Sequence, residues 1–157
     1  DVGPITRVGS QSYKELSDNY TINLTAPSFL CNQFVHAYKN DDVQKIIINV
    51  SSGAGKHPIE AWSTYCASKA ALDMFTLVLK AEHPDFKVFA VAPGIVDTPM
   101  QDNIRNANDQ HFPHLDRFQS YKADGNLVSA REIALKYLKI IQEPQNFQEV
   151  LVSVRDF

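Results

Sequence analysis

The chain has 157 residues, 44% of them hydrophobic and 21% charged, with a formal net charge of −3. This is the composition of an ordinary folded domain, long enough for one core. It gives no electrostatic reason to expect nucleic acid or an anionic membrane as partner, and no apolar run approaches membrane-spanning length.

Residues 1–12 are expected to form a loop. The stretch from about Tyr13 to Lys39 reads as one long helix, because Leu16, Tyr20, Asn23 or Leu24, Pro27, Leu30 and Phe34 recur at helical spacing. Pro27 lacks an N–H and should bend it locally. KNDD (39–42) is a turn. QKIIINV follows, a short β-branched run that suits a strand buried on both faces of a parallel sheet. SSGAGKHP is a loop by its Gly and Pro. Ser63 is the expected cap of a helix running to about Glu82. KVFAVAP is a second buried strand. Residues 102–126 carry local helical signals without a sustained period and read as a mobile excursion. Ser129 caps AREIALKYLKIIQ, an amphipathic helix stopped before Pro144, and QEVLVSV is the last strand. Helices alternating with buried strands mean an α/β fold, a parallel sheet covered on both faces in one domain.

Two cysteines, Cys31 and Cys66, are too few for a disulfide framework and read as reduced side chains of a cytoplasmic protein. The five histidines (36, 57, 83, 111 and 114) show no ligand spacing with a cysteine or carboxylate, so no metal is expected. His111 and His114 flank a Phe-Pro pair and are expected on a solvated or substrate-facing loop.

In a parallel sheet, ligands sit beyond the carboxyl ends of the strands. Ser51 and Ser52 lie at one such end, and Pro93 and Gly94 at the next. On the helix between them, Tyr65 and Lys69 are four residues apart and share a face. An ammonium beside a phenol stabilises phenolate and lowers its pKa from about 10. That makes a tyrosine a usable acid or base near neutrality. A nearby serine hydroxyl can hydrogen-bond the oxygen whose charge changes. Singly, each feature is ordinary: Tyr and Lys four apart usually mark a solvated helix face, and a serine pair or Pro-Gly after a strand is usually a turn. In this order and on these elements, they fit proton transfer at a carbonyl or alcohol oxygen.

The pattern resembles the short-chain dehydrogenase/reductase family. Ser52-x12-Tyr65-x3-Lys69, within SSGAG…YCASKAAL, carries the resemblance, with VAPGIVDTPMQ (91–101) after the next strand and Asn23 in NYTINLTAP upstream. It implies a Rossmann-like doubly wound parallel sheet and an NAD(P)H-dependent carbonyl reductase. By that resemblance, Tyr65 donates a proton to the substrate carbonyl. Lys69 lowers the Tyr65 pKa and holds the nicotinamide ribose. Ser52 polarises the carbonyl, and Asn23 anchors a water at an interruption of its helix. The main chain after Pro93 and Gly94, at Ile95, and the Thr98 side chain are the implied cofactor contacts, alongside Tyr65 and Lys69. Ser51, one residue off the spacing, reads as structural.

PGIVDTPMQ, the following NIR and the ending LVSVRDF are similar to the sepiapterin reductase and benzil reductase-like branch. This implies NADP, with NAD as the other candidate, and a ketone or vicinal dicarbonyl as substrate. The acidic residue that a pterin-binding member carries on the last strand is replaced by Ser153, with Asp156 nearby. Trp62 and Met100 are candidate substrate contacts. Phe112, Phe118 and Tyr121 lie on the stretch 97–126, where a lid is expected.

The family's glycine-rich phosphate turn is not found, because the six glycines (3, 9, 53, 55, 94 and 125) form no such motif. Residues 1–157 therefore read as the C-terminal portion of one such domain, beginning after its fourth strand, with IIINV as a bare apolar sheet edge. The alternative is a cofactor-free module that only binds or assembles. The helices at about 13–39 and 63–82 are the expected homodimer contact, through Phe29, Phe75 and Leu79.

Overall fold

A computed structural model describes residues 1–107 and 112–157; His111 lies outside them. Three parallel strands form the main sheet, in the order β1 (Ile46–Val50), β2 (Lys87–Ala92), β5 (Leu151–Ser153). Ile48 pairs with Phe89, and Val91 with Val152. Alternate side chains leave a strand on opposite faces. Ile47 and Val88 pack with Cys31, Leu79 and Phe86 beneath α2 (Ala26–Tyr38) and α3 (Ser63–Glu82). Phe89, Val91 and Val152 pack on the other face with Ile133 and Ile140 of α6 (Ala130–Gln142). The apolar runs are thus buried on both sides, as a parallel sheet requires. β1 pairs only with β2 among the described residues, so it forms the sheet edge, and Val50 at its end is exposed.

One polar residue sits inside that apolar strand. Asn49 is buried, and its amide donates to Thr76 Oγ1 at 2.9 Å while its oxygen accepts from Cys31 Sγ at 3.5 Å. A buried amide is tolerated only when its partners are supplied. Here those partners tie β1 to both helices above it.

The long helix expected from Tyr13 to Lys39 is continuous but changes pitch. It comprises α1 (Tyr13–Tyr20), a π turn over Thr21–Thr25, and α2. Pro27 has no N–H to offer the Asn23 carbonyl four residues back. The ladder widens just before it, and the Ala26 N–H reaches Thr21 O. The expected bend is therefore a π bulge, and it falls on Asn23.

Ser129 caps α6 through a reciprocal pair with Glu132. Ser63 does not cap α3. Trp62 is the N-cap residue and makes no side-chain cap bond, while the Ser63 hydroxyl accepts from Gln11 Nε2 at 3.0 Å. The opening loop takes the hydroxyl that local sequence assigned to the helix.

The stretch expected to be an excursion without sustained period contains regular elements among its described residues. β3 (Val96–Asp97) pairs with β4 (Val128–Ser129), and between them lie α4 (Pro99–Arg105) and α5 (Leu115–Ala123). Ile104 and Phe112 are fully buried, packed with Ala54, Trp62 and Tyr65. Among the described residues no helix is long and apolar enough to cross a membrane, and no three metal-ligating side chains gather.

Ile140 is completely buried between α6 and the sheet. Ile140→Ala should lower the unfolding free energy by about 2–5 kcal/mol. In a urea titration this appears as a lower midpoint with an unchanged slope.

Candidate active site

The Ser51 N–H continues the ladder to β2, donating to Val91 O at 2.9 Å. Three contacts fasten the carboxyl end of β1 to α3. The Ser51 hydroxyl donates to the Asp73 carboxylate inside the fold. Lys69 Nζ donates to Val50 O at 2.8 Å. Gly55, in the short turn Gly53–Gly55, lies so close to α3 that a Cβ there would meet the main chain of Lys69 and Ala70 at 3.0 Å. Only glycine allows that approach without displacing backbone. Ser52 is held between these anchors with extended backbone, and its Oγ accepts from Ala54 N at 3.2 Å, which leaves its O–H free to donate.

Tyr65 is buried on the first turns of α3, and burial pushes its phenol up, against a downward pull from the Ser52 hydroxyl. Lys69 is buried on the same face, and its ammonium is pushed down by burial and partly restored by the charge of Asp73. The ammonium sits 5.8 Å from the Tyr65 ring centroid. In this arrangement burial is the dominant influence on the Tyr65 phenol. A buried ammonium satisfies itself on the nearest carbonyl, and here that is Val50 O.

Asn23 is also buried. Its amide donates to Asp1 O at 2.7 Å, Asn19 Oδ1 at 3.0 Å and Ser68 Oγ at 3.3 Å. The side chain thus binds the opening segment to α1 and α3. Its main-chain carbonyl is the group that Pro27 leaves without an α-helical donor.

A cavity of about 460 Å³ opens in front of Ser52 and Tyr65. Trp62 and Met100 line it, as does the turn at Gly94 and Ile95 that follows β2. Gly94 has φ +75°, a conformation that glycine adopts freely. Asn23, Lys69, Pro93 and Thr98 do not line the cavity. The Thr98 hydroxyl instead donates to Val96 O at 3.4 Å. Trp62 stacks on Phe112, with ring centroids 5.5 Å apart and an interplanar angle of 9°, and meets Tyr65 edge-on at 5.5 Å. Phe118 and Tyr121 of α5 complete the aromatic wall. Ser153 lines the cavity, whereas Asp156 does not.

The profile of the short chain dehydrogenase family matches residues 3–109. The chain belongs to the short chain dehydrogenase family. Benzil reductase ((S)-benzoin forming) of Bacillus subtilis is 38% identical over 146 residues, 90% of this chain and 60% of that protein. Sepiapterin reductase of Mus musculus is 34% identical over 131 residues, 82% of this chain and 49% of that protein. The crystal structure of a short chain dehydrogenase/reductase from Saccharomyces cerevisiae is similar with a TM-score of 0.85 at 28% identity, covering 98% of this chain and 62% of that one. The chain spans no more than 62% of the length of any of these three relatives.

Within this short chain dehydrogenase, several site residues carry no sequence signal. An aspartate four residues after a lysine ordinarily marks a solvated ion pair on a helix face. Asp73 is instead buried by the approach of β1. Ala61 occupies the left-handed region at φ 67°, which costs a non-glycine residue roughly 1–2 kcal/mol. It immediately precedes Trp62, and its carbonyl accepts from Thr6 N at 3.0 Å.

Burial holds the Asp73 carboxyl above its ordinary 3.8, opposed by the Ser51 hydrogen bond and the charges of Lys56 and Lys69. The folded chain therefore binds this proton more tightly than the unfolded chain. The associated stability is present below pH 3.8 and is lost as pH rises through the raised value. Asp73→Asn should remove that loss, so the variant gains stability relative to wild type as pH rises from about 4 to neutrality. Urea titrations at several pH values test this, and parallel wild-type and variant profiles would contradict it.

Proposed function

We propose that the protein is an NAD(P)H-dependent carbonyl reductase acting on a ketone or vicinal dicarbonyl. The observation that carries this reading is the convergence of Ser52, Tyr65 and the Gly94 turn on one aromatic-walled cavity. The similarity to a benzil reductase supports a dicarbonyl among the substrates.

Tyr65 is the proposed proton donor. Burial keeps its phenol protonated through neutral pH, so the proton is available as charge develops on the carbonyl oxygen. The Ser52 hydroxyl donates a hydrogen bond to the same oxygen. Lys69 gives one N–H to Val50 O and has others to offer the ribose hydroxyls. Its charge favours the phenolate left after proton transfer. Asn23 is proposed to anchor a relay water through its main-chain carbonyl, since its side chain is already committed.

The main chain at Pro93, Gly94 and Ile95 and the hydroxyl of Thr98 would hold the cofactor with Tyr65 and Lys69. The Gly94 turn fits that role, because it presents backbone to the cavity with no side chain in between. When bound, the nicotinamide supplies the hydride that goes to the carbonyl carbon. NADPH is proposed over NADH from the branch that the sequence resembles, and both cysteines are free thiols, which suits a cytoplasmic enzyme.

Tyr65→Phe should cut reduction of benzil by about 10²–10⁴-fold. Cofactor affinity, read by NADPH fluorescence titration, should change little. Turnover near wild type would remove Tyr65 from the acid role, and no NADPH binding by the wild-type protein would favour a cofactor-free assembly module.

A homodimer is proposed through the outer faces of the two long helices. Phe29 is exposed as expected, but Leu79 is buried in the core and Phe75 packs against it. Met74 and Val78 face outward on α3, and Ile22 and Leu30 join Phe29. Light scattering at micromolar concentration should give twice the chain mass, falling towards the monomer in Phe29→Glu. A wild-type monomer would refute the contact.

A further inference from the structure

The proposed reductase activity names a carbonyl but leaves open what else the substrate carries. Among the described residues lining the cavity, Arg117 and Arg155 are permanently cationic, and no aspartate or glutamate takes part. The whole chain has a net charge of −3, so this positive lining runs against the sign of the molecule. Arg155 lies beside the Gly94 turn, where a Cβ on Gly94 would be 3.3 Å from its Nε. Its guanidinium makes no ion pair among the described residues. Arg117 donates from Nε to Tyr121 Oη at 2.5 Å and lies over that ring, 5.5 Å from its centroid.

A second, independent observation adds a buried donor left without an acceptor. Trp62 Nε1 and Gln101 Oε1 are buried without hydrogen-bond partners, on residues that are 5% and 6% exposed and that line this cavity. The indole can only donate, and the glutamine oxygen can only accept. A carboxylate can accept from the indole N–H, and the arginine fork matches it in two places.

We propose that the cavity selects carbonyl compounds that also bear a carboxylate, an aromatic 2-oxo acid being the simplest. The keto group lies at Ser52 and Tyr65, the ring against Trp62 and Phe118, and the carboxylate towards Arg155. This rests on the reductase reading. Hydride from NAD(P)H goes to the keto carbon and a proton to its oxygen, giving a 2-hydroxy acid and NAD(P)⁺ with the carboxylate unchanged. The same lining disfavours a substrate with a cationic or guanidine-like edge, consistent with Ser153 in place of an acid on β5.

The test compares phenylglyoxylate with its methyl ester in the intact protein, using NADPH and taking benzil as a neutral reference. The acid should exceed the ester in kcat/KM by about tenfold or more, mostly through KM. Arg155→Met should bring that ratio close to one, and Arg155→Lys should restore part of it. A ratio near one in the wild type, or a ratio that Arg155→Met leaves unchanged, overturns the proposal. Calorimetric titration with the two compounds decides the same question without turnover: tighter binding of the acid, weakened by salt and by Arg155→Met, supports it, and equal binding overturns it. If none of the carbonyls is reduced, the reductase reading fails, and the titration still decides the charge preference.

Discussion

The fastening of β1 to α3 is the constraint on which the rest of the site depends. The strand delivers Ser51 and Ser52, and the helix delivers Tyr65, Lys69 and Asp73. Neither element holds its groups in place alone. The Ser51 hydroxyl on Asp73, the Lys69 ammonium on Val50 O and the bare backbone of Gly55 against α3 fix the two together. Because these contacts are buried or partly buried, sliding the helix along the strand would leave polar groups without partners. That penalty makes the arrangement rigid.

The same contacts account for the electrostatics. Burial works against charge on Lys69 and Asp73 alike and keeps the Tyr65 phenol protonated. Lys69 and Asp73, four residues apart on one helix, partly offset each other's burial. The ammonium rests on a strand carbonyl and the carboxylate on a strand hydroxyl, so neither competes for the phenol. Ser52 and Tyr65 thus face the cavity with hydroxyl protons still to give. The far wall has a different character, with stacked aromatic rings interrupted by arginines and unpaired polar atoms.

Two surfaces remain apolar and uncovered by the described chain. One is the β1 edge, where Val50 stands exposed and the strand's outer N–H and C=O groups face away from β2. Such an edge is a template for another strand. The other is the outer stripe of α2 and α3, carrying Phe29, Leu30, Met74 and Val78. An apolar helical stripe of this kind ordinarily buries itself against another element.

The sequence by itself determined the parallel sheet, the order of its elements and the Ser52, Tyr65, Lys69 spacing. These follow from local rules: β-branched runs make buried strands, a four-residue interval shares a helix face, and Ser129 with Glu132 closes a capping box. The bend at Pro27 was legible for the same reason, though not that it would take the form of a π turn at Asn23. Only the tertiary structure decided the remainder. Ser63 lost its capping role because Gln11, distant in sequence, took its hydroxyl. Beyond Asp97, α4 and α5 pack near the site, and Trp62 gives Phe112 and Phe118 a surface to cover. Lys69 turned to Val50 O and Asp73 was buried because β1 comes to lie against α3, and no local pattern encodes that contact. The charge of the cavity, likewise, depends on Arg155 after β5 and Arg117 on α5, which meet only once the chain has folded.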